Sequence, residues 1–188
     1  MDALDLLLTR DSAVKLQEPG PDAKALEAMF ASAVRAPDHG RLRPWRFIVI
    51  SQDERERFGA LMADALQARQ PGATAEMLNR ERQKMLRAPV VIVVAARTRP
   101  NDKIPEVEQL LSAGAAAQNI MLAAHALGYG AMWRTGDPAY DPKVKQALDL
   151  EPADAIIGFL YVGTRAGGSS PLARPAPDEL VTHWHGAK

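Results

Sequence analysis

The segment 106–127 constrains this chain more than any other. It carries Leu110, Leu111, Ile120, Met121 and Leu122 among a series of alanines, so it reads as a helix that is apolar on nearly every face. Such a helix is expected to be wrapped by protein on all sides. Its small residues, Ser112, Ala113, Gly114 and Ala117, leave room for another backbone or a flat ligand to come close. Gly128 follows as a helix C-cap, Gly130 is expected to be a turn residue, and a short strand is expected over 131–134.

Composition sets the class. The 188 residues, 47% of them hydrophobic, suit one domain with a sizeable core, taken here as 1–188. The formal net charge is zero and no long basic block occurs, which argues against a nucleic-acid surface, since such surfaces gather Lys and Arg to neutralise phosphates. Cysteine is absent, so disulfides, thiolate nucleophiles and sulfur-bound clusters are excluded together. No segment has the signature of a signal peptide or the roughly 18 uninterrupted apolar residues of a membrane span, so a cytoplasmic location is expected.

Helices are predicted at 2–9, 23–34 with Asp22 as cap, 54–68, 74–86, 106–127 and 141–148. The pattern 45–50 reads as a strand, and 156–162 as another. The uninterrupted run Val90 to Ala96 is expected to be a central strand covered on both faces. From Thr164 onward the glycines and prolines predict an extended tail, 164–188, that packs on a partner subunit.

Three stretches carry residues suited to binding. Arg10 ends the first helix with Ser12 two positions on, a guanidinium fork beside a hydroxyl that suits phosphate oxygens; a solvated, dipole-compensating arginine fits the same pattern. Arg35 and His39 flank a Pro37 turn leading into Pro44-Trp45, and helix-end compensation with a surface histidine explains them equally well. Met132-Trp133-Arg134 follows the long helix, with Trp133 either a core residue or part of a site. Gly128 and Gly130 lack the third glycine of a dinucleotide fingerprint, and no Gly-x-Ser-x-Gly elbow supplies a nucleophile. His183 and His185 have no carboxylate or thiolate beside them, so no metal site is expected, and His125 reads as a packed histidine satisfied locally.

Together, Arg10-Asp11-Ser12, Arg35-Ala36-Pro37-Asp38-His39, Arg43-Pro44-Trp45 and the stretch Gly128 to Gly136 resemble the nitroreductase family of FMN-dependent oxidoreductases over almost the whole chain. The resemblance implies an α+β nitroreductase-like fold, a mainly antiparallel sheet of about four strands surrounded by helices, in an intertwined homodimer with FMN at the subunit interface. It implies cofactor binding by Arg10, Asp11, Ser12 and Lys15 at the phosphate and ribityl chain, by Arg35 and His39 from the other subunit, and by Met132, Trp133 and Arg134 along the flavin edge. Hydride would pass from NAD(P)H through flavin N5 to a nitroaromatic, quinone or similar acceptor by a ping-pong mechanism, with no catalytic side chain required. Two departures stand out: Asp11 where the family has a second arginine, and Arg43 where it has glutamine. Asp11 beside a phosphate must face solvent or a cation, or the phosphate site is weaker than usual. A flavin carrier or sensor without turnover, and a helical scaffold without flavin, are the competing readings.

Overall fold

The computed structural model describes residues 2–168 and 173–186. Its centre is strand β3 (Val90–Ala96), every residue of which is buried. β-branched residues on both faces leave this strand no solvent side, so it takes an inner position between β2 (Trp45–Ser51) and β5 (Ala155–Arg165). The other edge of β5 is shared: β4 (Gly130–Arg134) pairs with 159–163, and the two-residue β1 (Leu16–Gln17) pairs with Thr164 and Arg165. All pairings are antiparallel. The sheet has five strands rather than four, because β1 is held by its partner and carries no periodicity of its own.

The two faces of β3 divide the core. Val91 and Val93 pack with Phe58, Met62, Met85, Phe159 and Tyr161 beneath α3 (Glu54–Arg69) and α6 (Pro142–Ala147). Ile92 and Val94 pack with Met29, Ile120, Leu160 and Val162 against α2 (Ala23–Ala33) and the long α5 (Glu106–Ala126). The short α1 (Ala3–Thr9) lies against α5 and buries no residue fully.

Three expectations are corrected by packing. The helix expected over 74–86 starts as predicted, with the Thr74 hydroxyl accepting from the Met77 amide, but α4 stops at Gln83. A 3-10 turn over Lys84–Arg87 replaces its end and drops Met85 into the core before Pro89. Next, α5 is not wrapped on all sides within one subunit: α2 and the sheet cover one face, while Val107 and Leu111 remain 56% and 67% exposed. Finally, β5 extends to Arg165, so irregular chain begins at 166 rather than 164. Part of the expected tail, 169–172 and 187–188, lies outside the described residues. In the described part, Leu180, Val181 and Trp184 are exposed and join neither half of the core.

Candidate functional site

The loop after α1 is fastened to β4. The Ala13 amide donates to the Ala131 carbonyl at 2.9 Å, and Ala13 is buried. This closeness depends on Gly130, where a Cβ would lie 2.7 Å from that of Ala13 and 2.8 Å from Leu16 Cδ2. Gly130 is therefore a strand residue that admits a neighbour, not the turn residue expected. Gly128 ends the helix just past its C-cap Leu127, at φ +87, with the Tyr129 amide donating back to the Ala124 carbonyl.

Arg10 and Ser12 are half-buried and Lys15 is exposed along this loop. Among the described residues neither Arg10 nor Lys15 forms an ion pair. Asp11 turns to a cation: its carboxylate is held by both terminal nitrogens of Arg165 at the end of β5. The departure at residue 11 is thus neutralised locally. The loop keeps a cationic face because its one acid is engaged.

Backbone alternation decides what β4 offers. In an antiparallel strand the N–H and C=O of one residue point to the same side, and successive residues alternate. Since the Ala131 carbonyl turns away from β5 to meet Ala13, the Trp133 amide faces the same open edge, while Met132 and Arg134 turn their backbones to β5. The side chains serve packing: Met132 packs against the α3 half of the core, and the Trp133 indole donates to the Ile157 carbonyl at 3.2 Å across Gly158. Trp133 is thereby a core side chain with an outward-facing amide.

The third stretch lies elsewhere. Arg35 is exposed on a cleft of about 730 Å³ with Arg41, Arg43 and Trp45. Asp38 shapes its rim, its carboxylate accepting from the Leu42 and Arg43 amides at 3.1 and 2.9 Å, and both Arg41 and Arg43 adopt positive φ. His39 Nδ1 lies 2.6 Å from Glu108 Oε2 in the first turn of α5. At the opposite end of that helix, Thr9 Oγ1 is 3.3 Å from His125 Nε2, a contact made from α1, 116 positions away in the chain, and not by a local neighbour as expected.

The two groups of candidate residues therefore sit at opposite ends of α5. At 1.5 Å per residue, Glu108 and His125 are about 25 Å apart along the axis. Within one chain, Arg10, Asp11, Ser12 and Lys15 are brought to Met132, Trp133 and Arg134, whereas Arg35 and His39 are not. His183 and His185 have ring centroids 6.3 Å apart, and no group of side chains able to hold a metal occurs among the described residues. Sequence reasoning missed Arg165 and Glu108, each of which acts through a partner distant in the chain. No local signal marks such pairs.

The sequence profile of the Nitroreductase family matches residues 9–164. The chain is 38% identical to "Putative NAD(P)H nitroreductase YdjA" of Escherichia coli (strain K12), over 98% of this chain and 100% of that protein. A solved "Nitroreductase-like Family Protein from Bacillus cereus" superimposes with a TM-score of 0.83 at 21% identity, covering 99% and 97% of the two chains. A "putative nitroreductase in complex with fmn" from Desulfovibrio desulfuricans gives a TM-score of 0.73 at 26% identity, covering 97% and 98%.

Proposed function

The chain belongs to the nitroreductase family, and from that premise we propose that it is an FMN-dependent oxidoreductase taking hydride from NAD(P)H. Among the described residues, the groups left without partners fit the cofactor. Arg10, Ser12 and Lys15 supply two cations and a hydroxyl for a phosphate and a polyol chain. The Trp133 amide, on the open edge of β4, supplies a donor for the rim of the isoalloxazine ring. When bound, FMN would supply the redox chemistry, hydride transfer between a nicotinamide and a second substrate such as a nitroaromatic or quinone. The protein's own part is to anchor the phosphate, place one N–H at the ring edge and leave a ring face open.

The observation that carries this reading furthest is the separation of the two residue groups along α5. A twofold-related copy running antiparallel would bring the Arg35–His39 loop of one subunit to the Arg10–Lys15 loop of the other. The exposed side of α5, with Leu111, and the tail residues Leu180 and Trp184 are apolar surface that such a homodimer would bury.

Mixed dimers test it. Arg10→Ala and Arg35→Ala each damage both sites of a homodimer, but a heterodimer of the two contains one wild-type site and one doubly altered site. Mixing the denatured variants and refolding them is expected to restore about a quarter of wild-type flavin sites, since half of the dimers are mixed and each carries one good site of two. No restoration means that both residues serve a flavin within one chain. Purified protein is expected to absorb at roughly 370 and 450 nm and to bleach with NAD(P)H under anaerobic conditions; a flavin spectrum without bleaching would point to a carrier.

A further inference from the structure

The loop between α2 and β2 holds two arginines in a strained conformation. Arg41 and Arg43 sit at φ +54 and +50, a left-handed region where an L side chain is strained and glycine is not. Asp38 imposes it, its two carboxylate oxygens accepting from the Leu42 and Arg43 amides. What the strain secures is charge. Arg35, Arg41 and Arg43 are all exposed on one cleft, and none of them forms an ion pair among the described residues. Asp38 is the one acid on its lining, so positive charge is in excess there. Val34, Ala36 and Trp45 complete the lining with apolar surface.

FMN does not account for this excess. In the dimer proposed above, its phosphate has Arg10 and Lys15, its oxidised ring is uncharged, and Arg35 is the arginine of this loop that the family resemblance gives to the cofactor. Arg41 and Arg43 are left over, and Arg43 stands where the family has a neutral glutamine. A cleft of one sign draws anions from solution, and guanidinium forks beside an apolar wall suit an oxyanion carried on a flat organic body. Resting on that flavin reading, we propose that Arg41 and Arg43 set the substrate class of the site: an aromatic electron acceptor bearing a carboxylate. A neutral acceptor of the same shape leaves both cations unpaired and binds less well.

Benzoate and benzamide test this on flavin-loaded protein, since they share a shape, differ in charge and offer the flavin nothing to reduce. Perturbation of the flavin absorption bands reports their binding at equilibrium, without turnover. Benzoate is expected to bind about tenfold more tightly than benzamide, and the ratio to fall towards one as salt rises and in the double variant Arg41→Gly with Arg43→Gly. Glycine suits both backbone positions, so the variant is expected to keep its thermal stability and its flavin. In turnover, the preference for 4-nitrobenzoate over 4-nitrobenzamide is expected to drop in parallel, the comparison with wild type cancelling their intrinsic reactivities. Equal benzoate affinity in wild type and variant overturns the proposal. Loss of flavin from a stably folded variant also overturns it, by making the two arginines cofactor ligands, as does a raised KM for both NADH and NADPH with benzoate binding unchanged, which assigns them to the dinucleotide phosphates. Wild-type protein that takes up no FMN fails at the earlier reading, visible in its spectrum before benzoate is added, and takes this inference with it.

Discussion

Asp11 and Arg165 form a two-point ion pair across the sheet edge, with Arg165 Nη1 3.1 Å from Asp11 Oδ2 and Nη2 against Oδ1. Their side chains are only 12% and 22% exposed, so the pair is shielded from much of the screening that weakens surface bridges. It ties the loop after α1 to the end of β5, at the point where β1 also pairs with that strand.

This pairing fixes the sign of an Asp11→Asn effect. Removing a bare acid near a phosphate would tighten FMN binding, most strongly at low salt. Removing half of a clamp frees the Arg165 charge but loosens the loop that carries Arg10 and Ser12. The expected result is FMN affinity weakened about three- to tenfold with little dependence on salt, the size of one lost charged contact partly offset by relieved repulsion. Tighter binding that fades with added salt would show that the clamp is incidental.

Arg10→Ala is expected to weaken FMN binding by about 2 kcal/mol, roughly thirtyfold, because a charged hydrogen bond is lost without repacking of the core. Flavin fluorescence titration measures it directly. Unchanged affinity would make Arg10 a solvated helix end.

Gly130→Ala probes the contact that brings the two halves of the subunit's site together. A methyl group at 2.7 Å from Ala13 and 2.8 Å from Leu16 must push the loop off β4, and small-to-large changes of this kind cost about 1–3 kcal/mol. Lower thermal stability together with lost flavin is expected. Lost stability with full flavin retention would separate this contact from the cofactor.

At Trp133, truncation and amide removal should part ways. Trp133→Ala loses the indole bond to Ile157 and is expected to lower stability while retaining flavin. Trp133→Pro, assayed on folded and flavin-loaded protein, removes the outward N–H. It is expected to lower the flavin midpoint potential and slow reduction by NAD(P)H, by an amount on the order of 3 kcal/mol for one preorganised donor. Equal potentials in the two variants would place the chemistry elsewhere.

Asp141 governs acid stability. Burial pushes its carboxyl pKa up, but hydrogen bonding from Arg69, the Lys143 and Val144 amides and the Arg69 charge outweigh that and hold it below the usual carboxylate value. A pKa depressed on folding stabilises above the unfolded value near 3.8 and loses that contribution as pH falls through the folded one. Asp141→Asn is therefore expected to lower stability by roughly 1–3 kcal/mol at neutral pH and to converge with wild type in acid. Thermal melts from pH 7 to pH 2 check both limbs.

The long apolar elements were legible in the sequence because their patterns exceed local noise. β3 announces itself by seven consecutive apolar residues, and α5 by its length and lack of a polar face. β1 was not legible, since two residues pair there only because β5 passes beside them. Gly130 was misread because a turn glycine and a close-contact glycine look alike until the neighbour, Ala13, is known. The phosphate-type residues at 10, 12 and 15 could be named from the resemblance, but the Asp11–Arg165 bond spans 154 positions and has no local signature. Likewise the pocket at the end of β4 draws Met62, Arg87, Arg134 and Tyr161 from α3, the turn after α4, β4 and β5, and only the folded sheet assembles them.

The length of α5 has a consequence for how the protein is handled. With one half of each proposed site at either end of a rod about 30 Å long, a lone subunit would hold its flavin by the loop and strand edge alone. Retention of the cofactor would then vary with protein concentration: dilution releases subunits, released subunits release flavin, and added FMN draws subunits back together by mass action. Yellow colour lost on dilution and regained on concentration would be a reading of subunit assembly made with the cofactor itself.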